Sequence, residues 1–114
     1  MALFNKSRLI NCRGKLIDLS TPKVMGMLNV TPDTVFDGGK FTEEKAIIKQ
    51  AGKLLSEGAD IIDLGAHSTR PGSKKVPEST ETRRLLPAME AILNKYPEAV
   101  ISVDTFRANV AQKC

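Results

Sequence analysis

The chain has 114 residues, 41% hydrophobic and 26% charged, with a formal net charge of +4. These proportions fit one modest globular domain and exclude wholesale disorder, and the length excludes a complete eightfold α/β barrel, which needs about 250 residues. No apolar run approaches the ~18 residues of a membrane span, and the opening Met1-Ala-Leu-Phe-Asn-Lys6 has no apolar core of signal-peptide length, so no membrane partner and a cytoplasmic location are expected.

In chain order, Arg8–Cys12 and Lys15–Leu19 flank Arg13-Gly14 and read as a short β-hairpin, although Arg-Gly is a weaker turn signal than Asn-Gly. Val24–Val30 is a short apolar run of strand type. After Thr42, the residues Ile47, Ile48, Ala51, Leu54 and Leu55 share one helical face. Thr42-Glu43-Glu44-Lys45 supplies a cap and two carboxylates at the positive end of that helix, and Gly58 closes it. Asp60–Gly65 is the second strand. The second helix is expected over Glu78–Lys95, bracketed by Pro77 and Pro97, with Leu85, Leu86, Met89, Ile92 and Leu93 as its stripe. Pro87 within it predicts a kink or an irregular turn. Ala99–Val103 is the third strand, and a third helix begins near Phe106 and runs to Cys114 without a cap.

The order is strand, loop, helix, three times, at intervals of about 35–40 residues, the length of one β/α unit with a long loop after the strand. It implies parallel strands joined by right-handed crossovers, and their composition reads as strands buried on both faces. The excess positive charge lies within the first 25 residues, where Lys6, Arg8, Arg13, Lys15 and Lys23 stand against Asp18. The few aromatics (Phe4, Phe36, Phe41, Tyr96, Phe106) do not interleave with a basic stripe, so no nucleic-acid partner is expected; a small phosphorylated ligand fits better. Cys12 and Cys114 stand at opposite ends with no metal-ligand spacing and read as reduced thiols.

Ligands of parallel α/β proteins bind beyond the carboxyl ends of the strands. The first strand ends in Asn29, the second carries Asp63 and the third ends in Asp104, so three strands deliver an amide or carboxylate to one end. The loop Asn29–Phe41 is longer than usual and polar, as a lid over a site is, and oxygens from Asn29 and Asp33 suit Mg2+. In the second loop Ser68, Thr69 and Arg70 suit a phosphate and Pro71-Gly72 sets a turn, whereas Lys74 and Lys75 read as solvated charges and His67 as a loop residue. Asp63 and Asp104, in or at the end of apolar strands, either pair with a protein donor or receive the N–H groups of a ligand such as a pterin.

Met25-Gly-Met-Leu-Asn-Val-Thr-Pro-Asp-Thr-Val-Phe-Asp-Gly-Gly39 resembles the first signature of the dihydropteroate synthases, and Ala59-Asp-Ile-Ile-Asp-Leu-Gly-Ala-His-Ser-Thr-Arg-Pro-Gly72 resembles the second. Ile101-Ser-Val-Asp-Thr105 looks like the family's third strand. The resemblance covers residues 8–114. Related pterin-dependent methyltransferases share the barrel but lack the Asn-Val-Thr-Pro-Asp opening.

The resemblance implies an α/β fold, a partial (β/α)8 TIM barrel comprising about its first three β/α units (23–114) after the hairpin (8–19). It implies condensation of hydroxymethyl-dihydropterin pyrophosphate with para-aminobenzoate to dihydropteroate and pyrophosphate, in folate biosynthesis, with sulfonamides mimicking the second substrate. Asn29 matches the residue near Mg2+ and the pyrophosphate, Thr69 and Arg70 the pyrophosphate-binding pair, and Asp104 the pterin-holding carboxylate. Asp63 is the further candidate for substrate binding. Asp33 lies in the loop that closes over the pyrophosphate. Asp33 and Arg70 are the expected catalytic residues. Members are commonly homodimers, so a homodimeric parent is expected. Val35 stands where the family has an aromatic lining the aminobenzoate pocket, which predicts an altered second-substrate pocket. The family's later strands supply further pterin and pyrophosphate ligands, so the 114-residue chain alone is expected to be inactive; the alternatives are a truncated non-catalytic product or a related pterin-dependent methyltransferase.

Overall fold

Three parallel strands lie side by side in chain order, each followed by a helix that packs on the same face of the sheet. The computed structural model describes residues 8–30, 40–66 and 76–114. The elements are β1 (Leu9–Cys12), β2 (Lys15–Asp18), β3 (Met25–Asn29), α1 (Lys40–Ser56), β4 (Ile61–Gly65), α2 (Glu78–Lys95), β5 (Ile101–Asp104) and α3 (Ala108–Lys113).

β1 and β2 form the expected antiparallel hairpin, with Cys12 opposite Lys15. Its turn has positive φ at both central residues, 55° at Arg13 and 86° at Gly14, the primed geometry that matches strand twist. An arginine tolerates this conformation poorly, and the turn gains a compensating bond: the Gly14 amide donates to Asn11 Oδ1 at 2.7 Å. Beyond the hairpin, the Ser20 amide donates to Asp18 Oδ1 at 2.8 Å. Lys15 Nζ donates to the Glu98 carbonyl at 3.1 Å, tying the hairpin to the connection between α2 and β5.

The main sheet has the order β3-β4-β5, all parallel, with Leu28 opposite Leu64 and Leu64 opposite Val103. Alternation along the strands sends Leu28, Val30, Ile62, Leu64 and Ala66 to the helical side. There they pack with Ile47 and Ala51 of α1, Leu85, Ala88 and Ile92 of α2, and Val110 of α3. Ile62, Leu64, Leu85 and Ile92 are fully buried, each contributing about 1.5–3 kcal/mol by leaving water. Gly26 allows α1 to close on β3: a Cβ there would stand 3.0 Å from Leu54 Cδ2 and 3.3 Å from Ala59 Cβ.

The helices depart from expectation in three places. α1 starts at Lys40, so Thr42 is a helical residue rather than its cap. Its C-terminus behaves as expected: Gly58 has φ of 109°, Ala59 N–H donates to the Leu54 carbonyl at 3.0 Å and Gly58 N–H to the Leu55 carbonyl at 3.2 Å. This pair of bonds is a Schellman closure. α2 runs unbroken through Pro87, whose missing N–H costs one bond within the helix. Its buried seam comprises Glu81, Leu85, Ala88, Ala91 and Ile92, so a glutamate and two alanines stand where Leu86, Met89 and Leu93 were expected to lead.

The opposite face of the sheet corrects the expectation of strands buried on both sides. Met25 and Met27 are 49% and 65% exposed, because no described helix or strand lies over that face. Among the described residues no helix is long and apolar enough to cross a membrane.

Candidate functional site

The strand register determines which polar groups share a surface. Asn29 pairs with Gly65, and Gly65 with Asp104, so these three form one row at the carboxyl ends of the strands. The next row is Met27, Asp63 and Ser102, two residues nearer the amino ends and on the same open face. The sheet therefore brings Asn29, Asp63 and Asp104 to one side.

The middle of the outer row is empty of side chain. Gly65 is buried, yet the position its Cβ would take lies 3.3 Å from Asn29 Oδ1 and 3.7 Å from both Asp104 Cβ and Asp104 Oδ2. The carboxamide and the carboxylate thus flank a single slot over bare backbone. An amide oxygen and a carboxylate on either side of such a slot can accept N–H groups from a flat heterocycle or offer hard oxygen to a cation.

The expectation that Asp63 and Asp104 are buried is corrected. Asp104 is exposed and Asp63 half-buried, since they project from the open face rather than into the helical core. Neither is driven to seek an internal partner by burial.

Asp33, Thr69 and Arg70 lie outside the described residues, as do Val35 and His67. The described residues that precede them, Val30 and Ala66, stand at the same end of the sheet as Asn29 and Asp104. A cavity of about 350 Å3 borders this end, lined by Met27, Leu28, Asn29, Ala46, Ile47 and Gln50. A larger one of about 430 Å3 lies between the hairpin, α2 and the start of β5, bordered by Cys12, Lys15, Glu98 and Cys114. It sits by the amino end of β5, away from the chemistry-bearing row. Burial, then the Glu81 charge, pushes the Cys114 thiol up from its ordinary value, which disfavours the thiolate.

Sequence reasoning missed the second layer of this end. Arg84 Nη1 donates to the Ala66 carbonyl at 3.0 Å, at the point where the second loop departs. Arg107 Nη1 donates to Glu81 Oε1 at 2.8 Å. The backbone N–H of Arg107 donates to Thr105 Oγ1 at 3.2 Å, and its guanidinium lies 4.6 Å from the centre of the Phe106 ring. The available signal was the spacing of Glu81 from Leu85, Ala88 and Ile92, which places a carboxylate in the apolar seam.

No metal-ligating cluster of three or more His, Cys, Asp or Glu occurs among the described residues. The donor chemistry nonetheless fits Mg2+, which keeps several waters and takes one or two protein oxygens together with substrate phosphates.

Residues 25–114 match the family model described as pterin binding enzyme. The dihydropteroate synthase of Haemophilus influenzae is 43% identical over 99 residues, covering 87% of this chain and 36% of the relative. A Xanthomonas albilineans dihydropteroate synthase solved with 4-aminobenzoic acid superposes with a TM-score of 0.81 at 40% identity, over 94% of this chain and 39% of that one. An Anaplasma phagocytophilum dihydropteroate synthase with bound 6-hydroxymethylpterin-monophosphate superposes with a TM-score of 0.70 at 40% identity, over 80% and 35%. The chain therefore spans well under half the length of the relatives it matches. With the model matched from β3 to the last residue, the chain belongs to the pterin binding enzyme family.

Proposed function

We propose that this chain serves dihydropteroate synthesis: the condensation of hydroxymethyl-dihydropterin pyrophosphate with para-aminobenzoate, releasing dihydropteroate and pyrophosphate. Its three β/α units are the opening units of a (β/α)8 TIM barrel, working in the cytoplasm within a homodimeric parent. The observation that carries the reading is the slot over Gly65 between Asn29 and Asp104, at the sheet end from which the Asp33 and Thr69-Arg70 loops depart.

The division of labour follows from the donor types. Asp104 accepts the amino and ring N–H groups of the pterin, a charge-assisted contact that fixes the ring's orientation. Asp63, one row deeper on the same face, extends that contact. Asn29, on the other side of the slot, offers a carboxamide oxygen that would hold Mg2+ at the diphosphate end. Bound there, Mg2+ supplies neutralisation of the diphosphate charge. Thr69 and Arg70 would meet the diphosphate through a hydroxyl and a forked guanidinium, with Asp33 as the further residue assigned to that end. Arg70 stabilises charge on the departing pyrophosphate as the bond between the methylene carbon and the bridging oxygen breaks. The aniline nitrogen of para-aminobenzoate forms the new C–N bond and loses one proton.

Titration with hydroxymethyl-dihydropterin pyrophosphate tests the reading. Saturable binding that strengthens when Mg2+ is added, with no binding of a methyl-folate, is expected. Binding of the methyl-folate alone would assign the chain to methyl transfer instead.

A further inference from the structure

Glu81 sits in the apolar seam of α2 and is fully buried. A carboxylate costs several kcal/mol to bury alone, so what it meets bears on its role. Among the described residues Arg107 meets it, 26 residues on, at 2.8 Å, its side chain 19% exposed. The pair joins the first turn of α2 to the corner between β5 and α3. The same corner carries Asp104 and is braced by the Arg107 N–H on Thr105 Oγ1 and by the guanidinium over Phe106. One turn further along α2, Arg84 holds the carbonyl of Ala66. The start of α2 thus grips the chain just past the ends of both β4 and β5, the two strands that form the slot with Asn29.

We propose that Glu81 and Arg107 are positioning residues for the pterin site, clamping the β5–α3 corner to α2 so that the Asp104 carboxylate stays beside the Gly65 slot. The inference rests on the reading that Asp104 receives the pterin. It explains why an ion pair is kept where an apolar pair would serve packing. Buried ion pairs replaced by apolar residues of similar volume are often neutral or more stable, so stability alone does not account for this one. A planar guanidinium held by a carboxylate and an aromatic face has one orientation, and the Arg107 N–H on Thr105 Oγ1 passes that order back along the corner toward Asp104.

The test uses the double variant Glu81→Leu/Arg107→Met of the whole chain, with Asp104→Asn beside it. Three quantities are read: the thermal midpoint, amide hydrogen exchange across residues 104–108, and affinity for hydroxymethyl-dihydropterin pyrophosphate with Mg2+. The double variant is expected to keep its midpoint, to exchange about tenfold faster at the corner while the β4 amides hold, and to bind about tenfold more weakly. Where the double variant fails to fold, Glu81→Gln, which preserves shape and removes the charge, carries the same readouts. Wild-type exchange at the corner overturns the clamp. Faster exchange with unchanged affinity, while Asp104→Asn loses affinity, overturns the positioning role and leaves the pterin site standing. Unchanged affinity in Asp104→Asn overturns the pterin reading itself, and the inference with it.

Discussion

Two glycines of the same sheet make opposite demands on the same substitution. Gly65 faces the open side and Gly26 the helices. At Gly65 the backbone is outside the positive-φ region, so alanine adopts it without strain, and the gain from a less flexible unfolded chain is about 0.4–1 kcal/mol. The added methyl would stand 3.3 Å from Asn29 Oδ1, a few tenths of an ångström too close. Asn29 is exposed and can rotate away, at about 0.5–1.5 kcal/mol for a strained side-chain torsion. The two terms nearly cancel, so Gly65→Ala is expected to unfold within a few degrees of wild type. Its affinity for the pterin pyrophosphate should fall about tenfold, because the methyl fills the slot and displaces an oxygen beside it. At Gly26 the methyl would meet Leu54 Cδ2 at 3.0 Å and Ala59 Cβ at 3.3 Å, where α1 closes on β3. Overpacking costs about 1–3 kcal/mol, which for a domain of this size lowers the midpoint by roughly 5–15 °C. Circular-dichroism melts and ligand titration on both variants separate the effects. A Gly65→Ala variant as unstable as Gly26→Ala, or one that binds as wild type does, would refute the slot.

Other expectations follow from individual contacts. Leu64→Ala removes a fully buried side chain at the centre of the sheet and should cost about 2–5 kcal/mol in urea unfolding; a loss below 1 kcal/mol would mean that the helical face is not packed as described. Gly58→Ala forces a left-handed-side backbone on alanine and should cost about 1–2 kcal/mol in the same measurement, whereas Ser56→Ala in the same turn should not. The Ser20 side chain, then its amide, hold the Asp18 carboxyl below the ordinary 3.8. A depressed carboxylate contributes stability above its unfolded pKa and loses it as pH falls through the folded value, so this contribution is intact at neutral pH and disappears in acid below 3.8. Carbon-detected titration of Asp18 checks it, with a midpoint at or above 3.8 as the contrary result.

Much of the architecture is legible in the chain because the signals are local. Pro77 and Pro97 bracket α2, Gly58 closes α1, and three short apolar runs at regular spacing become β3, β4 and β5 in order. Asn29 and Asp104 are legible for the same reason: polarity resuming at a strand end is visible without knowing the neighbours. What escapes is whatever depends on register or on partners far along the chain. The slot exists because Gly65 falls opposite both Asn29 and Asp104, which only the pairing of three strands reveals. The spacing of Glu81 puts it in the apolar seam of α2, but nothing near it in sequence shows that Arg107 meets it there. Met25 and Met27 read as core because their apolar character says nothing about which face the helices cover.

The central claim is that the carboxyl end of β5 holds a pterin through Asp104. Titration of wild type and Asp104→Asn with hydroxymethyl-dihydropterin pyrophosphate in the presence of Mg2+ tests it most directly. A charged hydrogen bond contributes about 1.5–3 kcal/mol, so the variant should bind roughly 10–100-fold more weakly. Equal affinity of the two proteins would contradict the account.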